Sequence, residues 1–250
     1  RMDADDEAMP GRLAAQVALL EARPDVGVAG CLVEFGGDPA AAGGYALHVA
    51  WMNGLREPDE IARSRFIESP LAHPSAMFRR DLAARHGPYA EGPWPEDYEL
   101  WLRWMDAGVR FAKVPQVLLR WNDPPARLSR TDPRYAVPAF YACKCRYLAR
   151  WIRRELPARP VLLCGAGRTT RQRFAALECE GVPLAGFVDV DPRKIGRRVG
   201  GRPVLPVSAI PAPGTCFLIG GVGTRGERDA IRATLCARGH REGVDFIMAA

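Results

Sequence analysis

The spacing of hydrophobic and polar positions changes about halfway along the chain. Up to about residue 135 the apolar residues recur irregularly, with Trp, Pro and His among them and long connections between helical stretches. From about residue 158 onward, short apolar strands alternate with glycine turns and helices, as in a parallel α/β unit. We therefore predict an α/β protein in two parts, residues 1–135 and residues 158–250.

Residues 136–157 are predicted to form a connecting helix between the two parts. Phe140, Tyr147, Leu148 and Trp151 fall on roughly one face of this helix, and arginines occupy the rest. Docking of this face on a membrane surface is the alternative, although membrane-bound helices usually carry a wider apolar face.

The segment "PGRLAAQVALLEARPD" is predicted to be an amphipathic helix. Pro10 suits its first turn, Leu13, Val17 and Leu20 form one apolar stripe, and Pro24 follows its end.

Four acidic side chains crowd the segment just before this helix, at residues 3–7. One of them could cap the helix or complement its dipole, but that explains only one or two carboxylates. An EF-hand loop is excluded because Ala8 and Ala14 stand where its glycine and closing glutamate belong. In an extended segment Asp3 and Asp5 would point to the same side and could hold a divalent cation together with water and substrate phosphates.

A second group of acids lies in "GPWPEDYELWLRWMDAGVRFAKVPQVLLRW" (92–121). We predict a helix over 96–107, a stop at Gly108 and a strand that ends at Leu119. Glu96 and Asp97 stand at the helix start, where either could simply complement the dipole. Beside an aromatic-lined turn, a carboxylate there would also serve as a general base, because an apolar setting raises its pKa.

The stretch before it, 68–92, is predicted to contain a loop, a short strand and a helix. The loop carries His73 and Ser75, the strand carries Met77 and Phe78, and the helix ends near His86.

Taken in order, "DADD", "PGRLAAQVALLEARPDVGVAG", "HPSAMFRRD", "PEDYELWLRWMDAG" and "VPQVLLRW" resemble a family 2 glycosyltransferase of the GT-A fold. The resemblance covers residues 2–130. It implies inverting transfer of a sugar from a nucleotide-sugar donor, usually a UDP- or dTDP-sugar, to an acceptor hydroxyl in the synthesis of cell-envelope polysaccharide.

The resemblance also implies roles for particular residues. Asp3 and Asp5, with Asp6 beside them, would hold Mg²⁺ or Mn²⁺ against the donor diphosphate. Asp97 would be the catalytic base, with Glu96 as its neighbour. The remaining implied positions lie on the donor or acceptor side: His73, Arg103 and Trp104.

Two features depart from the family pattern. Relatives often carry a histidine in the loop after the last strand, whereas "RWNDPPARLSR" has none, and Asn122, Asp123 or Arg127 would have to replace it. In the family the Asp-x-Asp follows several nucleotide-binding strands, yet here it begins at residue 3. We therefore expect either a fragment of a longer protein or a truncated reading frame.

Residues 159–206 resemble a Rossmann-type βαβ unit. A buried strand, 161–164, leads into Gly165 and Gly167, and a second strand ends at Asp189, where a ribose-binding acid belongs. Thr170 replaces the third glycine of the fingerprint. A third strand and helix (216–235) follow, and "GVDFIMAA" is predicted to close the sheet. The unit either binds a nucleotide-type ligand or is an α/β appendage that binds nothing.

Composition restricts the remaining classes. The net charge of +6 comes from dispersed arginines and suits an anionic small ligand, a nucleic acid or a membrane surface. With the resemblance, we expect a nucleotide-sugar donor, a glycan or lipid-linked acceptor and no nucleic acid.

Seven cysteines without a Cys-x-x-Cys indicate a reducing compartment, and no apolar run approaches a membrane span of ~20 residues. We expect a cytoplasmic protein that can contact the inner face of the membrane. The alternative function is a redox or regulatory nucleotide-binding module in which the Gly165–Asp189 unit does the work.

Overall fold

The computed structural model describes residues 1–38, 40, 42–124 and 127–250. The chain folds into two compact units, each with its own β-sheet. The first unit comprises Arg1–Arg65 and Ser69–Ala136, and the second comprises Phe66–Glu68 and Val137–Ala250. The predicted α/β class is confirmed.

The first unit is built around a four-stranded mixed sheet with the order β1-β4-β2-β3. The central strands β2 and β4 are parallel, and the two short outer strands pair antiparallel to them. The elements of this unit are β1 (Glu7–Ala8), α1 (Arg12–Ala22), β2 (Val26–Phe35), α2 (Gly43–Gly54), α3 (Pro58–Ser64), β3 (Met77–Phe78), α4 (Asp81–His86), α5 (Glu96–Asp106), β4 (Arg110–Trp121) and α6 (Leu128–Thr131).

Helix α5 packs its aromatic side into the core of the first unit. Trp101 and Trp104 are fully buried, and the Trp101 ring meets the Phe111 ring edge to face at 5.6 Å. Fully buried aromatic side chains contribute most to core stability because of their large apolar area. These buried tryptophans anchor α5 in the core and so fix where its first residues lie.

Several predicted elements of the first unit are confirmed. The helix that begins at Glu96 ends at Asp106 and is followed by β4, while β3 and α4 stand where 68–92 predicted a strand and a helix. The predicted loop around His73 is a single 3₁₀ turn, His73–Ser75.

The prediction for α1 is wrong in its start and its buried face. The helix begins at Arg12, so Pro10 lies outside it. Leu13 and Val17 are 66% and 44% exposed, and the buried face consists of Arg12, Gln16 and Leu20.

The reason is hydrogen bonding. The Gln16 amide nitrogen donates to the carbonyl oxygens of Ala29 and Ser75, each at 2.8 Å, and Arg12 donates to the carbonyls of Arg1 and Pro74. Buried carbonyl groups need donors, and these two side chains supply them.

The second unit carries a six-stranded sheet with the order β10-β9-β5-β6-β8-β7. All neighbouring strands are parallel except β7 and β8, which form an antiparallel pair that the sequence did not indicate. The elements are α7 (Val137–Glu155), β5 (Val161–Cys164), α8 (Arg168–Cys179), β6 (Leu184–Val188), β7 (Arg198–Val199), β8 (Arg202–Leu205), β9 (Phe217–Gly220), α9 (Arg225–Ala237) and β10 (Phe246–Met248).

The strand, glycine turn, helix, strand order predicted for 159–189 is confirmed, and so are the later strand and helix. The closing segment "GVDFIMAA" forms β10 at one edge of the sheet. Helix α7 belongs to the second unit, where Tyr141 meets Phe174 of α8 edge to face at 5.3 Å. Across the described ranges, the structure contains no helix with the length and apolarity that a bilayer crossing requires.

Candidate functional site

The acidic segment at the start of the chain is a turn. The Asp6 amide donates to the Asp3 carbonyl at 3.3 Å, so the extended conformation assumed for Asp3 and Asp5 is wrong. Asp3 forms an ion pair with Arg1 at 2.7 Å, whereas the exposed Asp5 carboxylate has no hydrogen-bonding or ionic partner among the described residues. Asp5 is therefore the carboxylate of this turn that is free to take a new ligand.

The acids do not cap α1. The N-cap of that helix is Gly11, no side chain caps it, and its first turn contains no acidic residue. The prediction that one of these acids caps α1 or complements its dipole is wrong. Helix capping therefore does not explain why four carboxylates lie together in this segment.

Asn122 anchors the acidic turn to the end of β4. Its amide N–H donates to Asp6 Oδ1 at 2.8 Å, and its side-chain Nδ2 donates to the Asp5 carbonyl at 2.7 Å. Burial raises the pKa of Asp6 to about 6, against the hydrogen bond from Asn122, and the charges of Asp5 and Asp3 raise it further. A cation near Asp6 would oppose this repulsion between like charges.

The other two residues considered as replacements for the family histidine lie beyond Asn122. Arg127 stacks its guanidinium on the Trp121 ring at 4.1 Å, and its charge lowers the pKa of Asp6. Asp123 pairs with Arg130 at 2.6 Å and with Arg127 at 3.6 Å. The two arginines outweigh the single negative charge of Asp123. Arg127 is the one whose positive charge acts on Asp6 in the acidic turn.

The start of α5 holds two carboxylates in different surroundings. Both Glu96 oxygens accept hydrogen bonds from the Tyr135 hydroxyl, at 2.7 and 2.8 Å. Burial raises the pKa of Asp97 to about 6, and the charge of Glu96 raises it further, although the Tyr98 amide donates to it. A carboxylate with this pKa is ionised at neutral pH and can still accept a proton efficiently.

His73 and Tyr89 form a partly apolar wall beside these acids. The His73 Nε2 and the Tyr89 hydroxyl are 2.7 Å apart, and the His73 ring meets Trp101 edge to face at 6.0 Å. Burial lowers the pKa of His73 to about 4, and the charge of Arg1 lowers it further, so the ring is neutral at pH 7. Burial also raises the pKa of Tyr89 to about 12. Both groups can therefore exchange hydrogen bonds without carrying charge.

The charge of Asp3 connects the acidic turn to the start of α5. It raises the pKa of Asp97, His73 and Tyr89 alike. Because Coulomb interactions fall off with distance and screening, these effects place Asp3 in the same electrostatic neighbourhood as Asp97. The groups coupled by charge in this way are Asp3, Glu96, Asp97, His73 and Tyr89.

Arg103 and Trp104 contact the segment after α4. Arg103 pairs with Glu99 at 3.0 Å and donates to the Gly87 carbonyl at 2.9 Å, and the Trp104 indole N–H donates to the same carbonyl at 3.1 Å. Trp104 is fully buried. These contacts join α5 to the end of α4, which gives the two side chains a structural role.

The carboxylates fit a divalent cation only in part. Within the described ranges, no three His, Cys, Asp or Glu side chains are arranged to hold a metal ion. Magnesium is often bound by one or two carboxylates, with substrate phosphates and water completing the shell. Asp3 and Asp5 could supply such a pair once Asp3 exchanges its bond to Arg1.

In the second unit, Gly165, Gly167 and Asp189 lie together at one end of the sheet, as the sequence suggested. Asp189 accepts hydrogen bonds from the Ala166 amide at 2.8 Å and the Asp191 amide at 2.9 Å, and it pairs with Lys194 at 3.1 Å. The two Asp189 oxygens therefore hold the turn after β5 and the loop after β6 together.

Two residues of this arrangement, Tyr135 and Tyr89, were not indicated by the sequence, and neither was the contact between Asn122 and the acidic turn. Tyr135 is 39 positions from its partner Glu96, and Asn122 is 116 positions from Asp6. Tyr89 lies within residues 68–92, but its aromatic type alone does not indicate that it contacts His73. A tyrosine close to a predicted acidic site is the weak signal that could have found it.

Three glycosyltransferases are similar in sequence to part of this chain. The chain is 31% identical over 121 residues to the amylovoran biosynthesis glycosyltransferase AmsE of Erwinia amylovora. The matched region covers 48% of this chain and 42% of that protein. It is 29% identical over 120 residues to an uncharacterized glycosyltransferase of Haemophilus influenzae, with the same two coverages. It is 24% identical over 160 residues to the O-antigen biosynthesis glycosyltransferase WbnJ of Escherichia coli, 62% of this chain and 57% of that protein.

No family model matches the chain. The chain spans less than half the length of the first two relatives. Its similarity to glycosyltransferases thus rests on these partial matches.

Proposed function

We propose that this chain is part of an inverting, metal-dependent glycosyltransferase of the GT-A, family 2 type. It transfers a sugar from a nucleotide-sugar donor to a hydroxyl of a glycan or lipid-linked acceptor, in the cytoplasm or at the inner face of the membrane. The observation that carries the proposal is the similarity to three glycosyltransferases, two of them named for amylovoran and O-antigen biosynthesis. The electrostatic neighbourhood of Asp3 and Asp97 supports it.

Asp97 is the general base in this proposal. Its carboxylate takes the proton of the acceptor hydroxyl while that oxygen attacks the anomeric carbon, and the bond from this carbon to the donor diphosphate breaks on the opposite face. The raised pKa of about 6 supports the role, because a stronger base takes the proton more readily while remaining ionised at pH 7.

Glu96 and its partner Tyr135 keep the second carboxylate out of the reaction. The Tyr135 hydroxyl donates to both Glu96 oxygens, so Glu96 is fixed as a neighbouring negative charge. That charge raises the basicity of Asp97. His73 and Tyr89, both neutral, offer hydrogen bonds to an acceptor sugar.

Asp3 and Asp5 are the residues that would hold Mg²⁺ or Mn²⁺. A bound divalent cation screens the diphosphate and stabilises the charge that develops on the departing nucleotide. Asn122 orients the turn by bonding the Asp5 carbonyl and the Asp6 carboxylate, and Arg127 adds positive charge nearby.

The test uses the protein that carries this chain, a panel of UDP- and dTDP-sugars, and Mn²⁺. Asp97→Asn should lower sugar transfer to a membrane glycolipid extract by about 10²–10⁴-fold while donor binding persists. Asp5→Ala should abolish the manganese-dependent part of donor binding measured by calorimetry. Asp81→Asn, which removes an exposed acid of α4 that pairs with Arg85 at the surface, is the matched control.

Full transfer by Asp97→Asn would show that another group is the base. If no nucleotide-sugar bound with or without Mn²⁺, the proposed function itself would be wrong.

A further inference from the structure

A groove of about 490 Å³ lies at the end of the second sheet that is opposite to the glycine turn. It is lined by the last turn of α7, the segment that leads into β5 and the segment that leads into β10. Strands β5, β9 and β10 are parallel, so the starts of β5 and β10 share one edge of the sheet and Gly165 follows the other. The groove is therefore distinct from the Rossmann-type turn, and its volume is typical of small-molecule sites.

Trp151 forms the aromatic wall of this groove. It is the only tryptophan in the sequence of the second unit and is partly buried. Its ring meets the Phe217 ring edge to face at 5.4 Å and lies 6.3 Å from the Phe66 ring. These two rings hold the indole in place, so the part that lines the groove is positioned before a ligand arrives. Val244, which is 39% exposed, extends the apolar wall.

Arg159 provides fixed hydrogen-bond donors to the groove. Its Nη1 donates to the Val244 carbonyl at 2.6 Å and lies 3.5 Å from Asp245 Oδ1. Its Nε and Nη2 make no hydrogen bond with any residue that the structure describes. Because the guanidinium is planar, fixing one nitrogen also fixes the directions of the remaining N–H groups. The Asp245 carboxylate offsets the charge of Arg159, so the groove is not specifically an anion site.

Glu155 provides an acceptor on the same rim. Its carboxylate pairs with Arg154 at 2.7 Å, but both side chains are half exposed, and such a pair contributes little free energy. A hydroxyl group can therefore replace Arg154 as the partner of Glu155. Helix α7 ends at this residue, and the last carbonyl groups of a helix lack helical donors. Donors and acceptors thus surround a single aromatic surface.

This combination suits the ring of a neutral sugar. A pyranose has an apolar face of C–H groups that can lie on an indole, and hydroxyl groups at its edge that both donate and accept hydrogen bonds. A purely apolar ligand would remove Arg159 and Glu155 from water without replacing their hydrogen bonds. An anion would be repelled by Glu155, and a proline-rich peptide has no donor for that carboxylate. The neutral sugar satisfies all three side chains.

We propose that this groove binds one or two neutral sugar units of a glycan, stacked on Trp151 with their hydroxyls on Arg159 and Glu155. The groove is a binding site without a catalytic group. Sugar binding does not depend on the proposed transferase activity, whereas the identity of this glycan as the acceptor or product of transfer rests on that function. A glycan held here would stay at a high effective concentration between rounds of transfer.

The test follows the indole N–H signals of the chain by NMR after labelling with ¹⁵N-tryptophan. The sequence gives six such signals, and the Trp151 signal is the one that disappears in Trp151→Phe. We expect at least one of maltotetraose, cellotetraose and mannotetraose to shift the Trp151 signal with a Kd below about 10 mM. If nucleotide-sugars fail to bind but a tetrasaccharide shifts Trp151, the proposed function is wrong and this site remains.

Ala158→Phe is the decisive variant, because Ala158 is exposed, lines the groove and lies in the turn before β5. The phenylalanine ring should occupy the groove and weaken sugar binding at least about tenfold. Ala237→Phe places the same ring at the exposed end of α9, outside the groove lining, and should change the Kd less than about twofold. Glu155→Gln keeps the shape of the side chain and should weaken binding about threefold, because a charged acceptor is lost.

The proposal is overturned if none of the three tetrasaccharides shifts the Trp151 signal below about 10 mM. It is equally overturned if Ala158→Phe binds sugar as the unchanged chain does, because the sugar would then lie outside this groove. A shift of the Trp151 signal by decaproline, with no shift by the sugars, would instead assign the groove to a proline-rich peptide.

Discussion

Adjacent carboxylates at the start of α5 differ in their hydrogen-bonding partners. The single Tyr135 hydroxyl donates to the two oxygens of Glu96, whereas Asp97 is partly buried and accepts a hydrogen bond from the Tyr98 amide. Environment alone can separate the pKa values of neighbouring carboxylates and thereby assign acid and base roles. The Asp97 role rests on this asymmetry.

The pH dependence of sugar transfer follows from the raised pKa of Asp97. The base must be unprotonated, so kcat/KM should fall as the pH drops through about 6, where Asp97 takes up a proton. Burial is the larger cause of this pKa and the negative charge of Glu96 adds to it. Glu96→Gln removes that charge, which lowers the pKa of Asp97 and moves the acidic limb of the profile to lower pH.

Glu91→Gln is the control for this profile, because Glu91 is exposed and does not contribute to the pKa of Asp97. A Glu96→Gln profile identical to that of the unchanged protein would exclude Asp97 as the group that titrates.

At the scale of elements, α1 shows how a helix can bury its polar side. Sequence patterns assign the buried face to apolar residues, and Leu13, Val17 and Leu20 satisfied that pattern. The structure instead buries Arg12 and Gln16, because the carbonyls of Ala29, Ser75 and Pro74 need donors.

Gln16→Leu should therefore destabilise the first unit even though leucine is the more apolar residue. It leaves two buried carbonyl groups without their donor, at a cost of about 1–3 kcal/mol each. Urea unfolding of the chain measures the change in the free energy of unfolding. The control Leu13→Gln alters a 66% exposed side chain of the same helix and should stay within about 0.5 kcal/mol. If Gln16→Leu were as stable as the control, the hydrogen bonds to Ala29 and Ser75 would carry no net free energy.

For the whole molecule, the sequence predicted the features that depend on neighbouring residues, namely helix ends and turns. The helix from Glu96 and the β5–Gly165–α8 turn followed from periodicity and from Pro and Gly at their ends, which act within a few residues. Contacts between distant segments could not be predicted: the partnership of Tyr135 with Glu96, and the inclusion of Phe66–Glu68 in the second unit, depend on the completed fold. The sequence therefore indicated which acidic residues belong to the candidate site, but it did not indicate the residues that hydrogen-bond to them.

The seven thiols offer a test of both cores at once. Five of them are buried, and Cys179 and Cys236 are exposed. Burial raises the pKa of Cys145 and Cys164 to about 12, which suppresses their reactive thiolate form. Titration of the native chain with a thiol reagent should show two fast-reacting groups, and the other five should react after unfolding in guanidinium.

The double variant Cys179→Ser, Cys236→Ser should lose the fast phase completely. Rapid reaction of a third thiol in this variant would mean that one of the two cores is open in solution.

Gly167 also has a consequence for engineering. It is the N-cap of α8, where no side chain caps the helix and a Cβ would meet no atom within 4 Å. A serine or an aspartate at an N-cap accepts a hydrogen bond from the first amides of the helix, which glycine cannot do. The position therefore offers a way to make the second unit more resistant to heat without altering its core.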